Sequence, residues 1–189
     1  TIRHNRARGK HQVNKMSVLL DKLPDLSNST IKTAKIRISK FAEELIKQKI
    51  SWTSEHGDFV KTNIIINNEN KVFVLDWEFY EHQGVPLWDL MMFFIHNARV
   101  GPTPDSFTNN FTGNGQYSSI LKNMWRYYSQ EMNLSSNTMI LGMWYVLVRA
   151  LYKRFNDPWG RHLDSRPFIE LLNIWYKIEK QSRIWINLN

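Results

Sequence analysis

The chain has 189 residues, 42% hydrophobic and 13% aromatic, with a formal net charge of +8 and no cysteine. This length and apolar content allow one sizeable core and argue against disorder. The lack of cysteine excludes disulfides, thiolate zinc sites and cysteine nucleophiles, and it fits a reducing, cytoplasmic setting.

The basic excess begins at residues 1–15, where Arg3, Arg6, Arg8, Lys10 and Lys15 occur without an acid. That stretch reads as a solvated, frayed terminus. It contains no aromatic residue, which disfavours a nucleic-acid platform. Residues 12–23 carry a short helical pattern ended by Pro24, and Asn28, Ser29 and Thr30 then offer helix caps. From Ile31 onward, Ala34, Ile38, Phe41, Ala42, Leu45 and Ile46 recur at helical spacing and predict an amphipathic helix over 31–49. Residues 63–66 and 71–75 are rich in β-branched side chains, and an Asn-rich turn joins them. The pattern predicts a hairpin. Pro86 is placed to start an apolar helix through Leu90, Met91, Phe93 and Phe94. Residues 101–115, rich in Gly, Pro, Asn and Thr, read as a loop long enough to be a lid or a substrate loop. Helical segments follow at 116–132, 136–155 and 165–184. No apolar run reaches the length of a membrane span. The expected fold class is α+β, mainly helical, in a single domain over 1–189.

The residues that carry chemistry flank the hairpin. His56-Gly57-Asp58 opens a loop that closes at Asn63, and Val74-Leu75-Asp76-Trp77-Glu78 follows the hairpin's return strand. A hairpin sets its two outer ends side by side, so Asn63 and Asp76 are expected to share an ion. Phosphoryl transfer from a magnesium nucleotide uses this set: one carboxylate to take a hydroxyl proton, and an amide plus a carboxylate for the metal. Magnesium takes few protein ligands, all hard oxygens, because it keeps waters and phosphate oxygens.

At these residues the chain resembles the aminoglycoside phosphotransferase and choline kinase-like superfamily, which has a protein kinase-like fold. The stretch Gly84-Val85-Pro86-Leu87-Trp88-Asp89-Leu90 is also similar to that family, most of all to its phosphotransferases from polysaccharide-synthesis clusters. The resemblance covers 54–94. It implies that Asp58 is the catalytic base, that Asn63 and Asp76 bind Mg2+ and ATP, and that His56 braces the loop. It also implies that Asp89 holds the loop's backbone and that Glu78 touches substrate or metal. The implied activity is ATP-dependent transfer of a phosphoryl group to a hydroxyl of a sugar, amino alcohol or glycan precursor.

Family members carry a smaller N-terminal lobe with a β-sheet, a phosphate-covering loop and a strand-borne Lys. Residues before His56 read as helix, and Gly9 is the only glycine before Gly57. The chain is therefore expected to be a kinase-like C-terminal lobe with a helical substrate region, missing the nucleotide lobe. It is either part of a longer protein or a naturally reduced member, and by itself it should bind ATP poorly and turn over slowly, if at all. The alternative is a pseudokinase-like interaction domain without catalysis. Trp125, Trp144 and Tyr145 are either core or a platform for an acceptor. In residues 101–163, Arg126, Arg149, Lys153, Arg154 and Arg161 outweigh Asp105, Glu131 and Asp157, which favours a neutral or anionic acceptor.

Overall fold

The structure, a computed structural model, describes residues 2–50, 53–98, 104–156 and 164–181. Among these residues, seven α-helices and four short strands run in the order α1 (Ile2–Leu20), α2 (Asn28–Lys47), β1 (Thr53–Glu55), β2 (Ile64–Ile66), β3 (Val72–Val74), β4 (Glu81–Gly84), α3 (Trp88–Ala98), α4 (Asp105–Thr112), α5 (Ser118–Glu131), α6 (Ser136–Phe155) and α7 (Arg166–Lys180). The fold is α+β and mainly helical. Its strands form two separate antiparallel pairs, β1 with β4 and β2 with β3.

The core is built around α6. Every residue from Thr138 to Leu151 is buried, as expected of a helix apolar all round and packed on several sides. Helices α1, α2, α3 and α7 pack against it. α2 presents Thr30, Ala34, Ile38 and Phe41, spaced one turn apart. Ser27 caps α2 by accepting from the Thr30 amide at 3.1 Å. Gly142 of α6 gives Leu87 room: a Cβ there would collide with the Leu87 side chain.

A second layer joins α4 and α5 to α3 and α7 through aromatic rings. Phe94 stacks on Trp125 with centroids 5.9 Å apart, and Phe111 meets Trp175 edge-on at 5.3 Å. This layer overturns the loop expected at 101–115. Residues 105–112 form α4, with Phe107, Asn110 and Phe111 buried, while residues 101–103 lie outside the described set. Weak local propensity gives way to two Phe residues one turn apart that find a core. Gly113, at φ 96°, ends the helix.

Other boundaries moved less. α1 begins at Ile2 rather than near Gln12, and its backbone includes the basic run. α3 begins at Trp88, after a Leu87 with φ 81°, rather than at Pro86. α5 runs from Ser118 and α7 ends at Lys180; residues 182–184 of the expected last helix lie outside the described set. Strands β1 and β4 were not expected from the sequence. No described helix is long and apolar enough to cross a membrane.

The β2–β3 hairpin stands apart from this core. Ile64 pairs with Val74, Ile65 with Phe73 and Ile66 with Val72. Ile65, Ile66, Val72, Phe73 and Leu75 are all exposed.

Candidate active site

The site is assembled where β1 ends and the hairpin begins. Gly57 has φ 88°, and a Cβ there would strike the backbone carbonyl of Phe79. Only glycine allows this turn together with so close a neighbour. The chain thus reverses directly after His56 and presents Asp58 half-buried at the mouth of the loop.

Asp89, from the first turn of α3, fixes that reversal. Its Oδ2 accepts from the His56 amide at 2.7 Å and its Oδ1 from the Gly57 amide at 3.1 Å. Burial pushes the Asp89 carboxyl above the ordinary aspartate range, outweighing the two amide bonds that pull it down. Asp89→Asn keeps the shape but offers a single acceptor oxygen, so one amide loses its partner. The expected loss is about 1–3 kcal/mol of stability, read by urea denaturation.

His56 is buried and ties the loop to the far end of the hairpin. Its Nε2 lies 2.7 Å from the Leu75 carbonyl oxygen, and its Nδ1 lies 3.3 Å from the Asp58 amide. A neutral imidazole with the proton on Nε2 satisfies both, donating to Leu75 and accepting from Asp58. The Trp77 ring closes over His56 with centroids 4.7 Å apart.

Asn63 ends a single 3₁₀ turn, Lys61–Asn63. Its Nδ2 donates to the Asp58 backbone oxygen at 3.0 Å and to Asp58 Oδ2 at 3.1 Å. These two bonds fix the amide and leave Oδ1 without a protein partner among the described residues. Across the hairpin, the Leu75 amide donates to the Asn63 carbonyl oxygen at 2.9 Å, so Asp76 is the next residue along from Asn63's partner. Asp76 is exposed and adopts the left-handed conformation, φ 62° and ψ 63°. For a non-glycine residue this is uncommon, though Asp tolerates it better than most. Asn63 Oδ1 and the Asp76 carboxylate are the donors this loop offers to a hard cation. Glu78, in the turn Trp77–Phe79, is exposed to solvent. Among the described residues no group of three His, Asp or Glu is placed to hold a metal ion.

Behind the loop lies a charged cluster that the sequence did not announce. Arg149 of α6 donates to both Glu55 oxygens, at 2.7 and 2.9 Å, and to Glu81 Oε1 at 3.0 Å. Glu55 is 2% exposed and Arg149 5%. Burial disfavours the Arg149 charge, but pairing with Glu55 outweighs it and raises the pKa. Glu55 also accepts from the Val85 amide at 2.9 Å, and its carboxylate lies where a Cβ on Gly84 would be. The Arg149 guanidinium sits 4.3 Å over the Trp88 ring, whose Nε1 donates to the Gly57 carbonyl at 3.0 Å. Helix α6 thereby supports the residue before His56 and the residue after it. One local signal existed: a lone Arg inside the apolar run 139–151 is rarely buried without a partner.

This cluster corrects the charge balance taken from residues 101–163. Arg149 is neutralised by Glu55 and Glu81, and Arg154 lies 4.5 Å over the Phe168 ring, so neither speaks to the charge of an acceptor. Trp125 and Trp144 are core, at 3% and 0% exposure, with Trp144 Nε1 donating to Glu179 at 2.8 Å. Neither is a platform for a ligand. Tyr145 is also buried and donates its hydroxyl to Gln12 at 2.7 Å.

Comparison with protein-family models, with curated proteins and with solved structures returned no match.

Proposed function

We propose that this chain is the catalytic lobe of a cytoplasmic ATP-dependent phosphotransferase of kinase-like architecture, acting on a hydroxyl of a sugar, amino alcohol or glycan precursor. The observation that carries the reading is the double bond from Asn63 Nδ2 to Asp58. It holds a half-buried carboxylate at the loop mouth and leaves the amide oxygen free, next to the strand end that bears Asp76.

The donor set fits magnesium that arrives with a nucleotide. One amide oxygen and one carboxylate are too few for an independent cage, and they match an ion that keeps waters and takes phosphate oxygens. Bound magnesium-ATP would supply the phosphoryl donor and offset the charge that develops during transfer. The chain's own residues do the rest. Asp58 accepts the proton of the acceptor hydroxyl as the oxygen attacks. Asn63 keeps the Asp58 carboxylate in one orientation, while His56 and Asp89 hold the loop that carries it. Glu78, exposed two residues past Asp76, is assigned to substrate or metal contact.

The apolar side chains exposed on both faces of the hairpin, Ile65 and Phe73 on one and Ile66 and Val72 on the other, support a covering element at this end of the lobe, a nucleotide-binding lobe under the enzymatic reading. The same side chains favour the second reading, a pseudokinase-like interaction domain that uses this end to bind a partner. Calorimetric titration with magnesium-ATP separates the two. Under the enzymatic reading, Asp76→Ala weakens binding by about tenfold or more, since even indirect partners of a metal ligand are worth that much. Measurable binding of equal affinity in the wild type and the variant favours the interaction domain.

A further inference from the structure

Between α1, β4 and the second half of α6 lies a recess of about 300 Å3. Asp58, Asn63 and Asp76 do not line it, so it is separate from the candidate active site. Its charged lining consists of His11 and Lys15 from α1, Glu81 from β4, and Arg149 and Lys153 from α6, with Tyr152 beside them.

The charges do not cancel. Arg149 is committed to Glu55 and Glu81. Lys153 shares the same two carboxylates at longer range, its Nζ 3.4 Å from Glu81 and 3.8 Å from Glu55, and it rests 4.7 Å over the Trp88 ring. Lys15, His11 and the Tyr152 hydroxyl have no protein partner among the described residues. Among the described residues, three cations, Arg149, Lys153 and Lys15, thus stand against two carboxylates, Glu81 of the lining and the buried Glu55. Burial, and after it the neighbouring Arg149 charge, push the Lys153 pKa down against the pull of both carboxylates. An ammonium in that position gains from a further anion.

An oxyanion is the group that ammonium and phenol donors recognise together, through charge-assisted hydrogen bonds. Glu81 at the same wall disfavours a bare polyanion and offers an acceptor to hydroxyl groups. The volume lies at the small end of ligand pockets. We propose that this recess binds a small phosphate monoester bearing hydroxyls, of sugar-phosphate type, with its phosphate held by Lys15, Lys153 and Tyr152. The proposal stands independently of the phosphotransferase reading.

The test is calorimetric titration of the full chain, in low-salt buffer, with glucose 1-phosphate, glycerol 3-phosphate, inorganic phosphate and glucose. The expected result is saturable binding of at least one ester, none of glucose, and weaker binding of inorganic phosphate. Lys15→Met and Tyr152→Phe, both peripheral to the core, should each weaken ester binding by about fivefold to tenfold, which corresponds to one charge-assisted bond. Asp76→Ala should leave it unchanged. Three outcomes would overturn the proposal: no ester binding up to about 10 mM, a dissociation constant well above the usual ligand range; equal affinity for inorganic phosphate; or ester binding that Lys15→Met and Tyr152→Phe leave intact.

Discussion

Arg149→Met should cost about 3–5 kcal/mol of folding stability. The substitution preserves much of the side chain's volume, so packing is not the main cost. What it removes is the hydrogen-bonded cation beside Glu55, a carboxylate that is 2% exposed and held in place by the Val85 amide. A charge at that depth left with only the Lys153 ammonium, 3.8 Å away, either stays ionised at high cost or takes up a proton. Removing both charges is different in kind. In Arg149→Met combined with Glu55→Gln, no ion is left stranded at the β1 end, and the loss should be clearly smaller than the sum of the two single losses. Urea denaturation of the three variants measures this coupling. Additive losses would mean that the pair does not act as a unit.

Asp58→Asn should lower the rate of phosphoryl transfer by about 10²–10⁴-fold, the range for loss of a positioned general base. The apparent affinity for magnesium-ATP should stay close to that of the wild type, because Asn63 and Asp76 are untouched. Stability should also change little. Asp58 is only half-buried, and its backbone oxygen, the nearer of the two Asn63 acceptors at 3.0 Å, remains. A loss confined to turnover separates a proton acceptor from a loop brace. If Asp58→Asn instead lowers stability and nucleotide affinity together, Asp58 acts as a structural residue.

Much of the fold could be read from local pattern. Helix α6 runs over the expected residues, and the apolar spacing from Ile31 placed α2 to within a few positions. The hairpin followed from two β-branched runs around an Asn-rich turn, and with it the adjacency of the strand ends that carry Asn63 and Asp76. The misses share a physical cause, which is long-range packing. β4 is Glu81–Gly84, with no apolar alternation, and it exists because it pairs with β1. α4 is made of weak helix formers, and Phe107 and Phe111 hold it in the core. Arg149 and Glu55 lie far apart in sequence, and no local rule joins them. Burial also removed Trp125 and Trp144 from consideration as ligand platforms. The trio His56, Asp58 and Asn63 was legible because a short loop forces its members together. Asp89 joins them from the first turn of α3.

The most direct measurement is phosphorus NMR of the chain incubated with magnesium-ATP and a mixture of sugars and amino alcohols. Slow growth of a phosphate monoester resonance is expected, requiring magnesium and absent in Asp58→Asn. A monoester resonance that grows as fast in Asp58→Asn, or without magnesium, would contradict assignment of this loop as a phosphotransferase site.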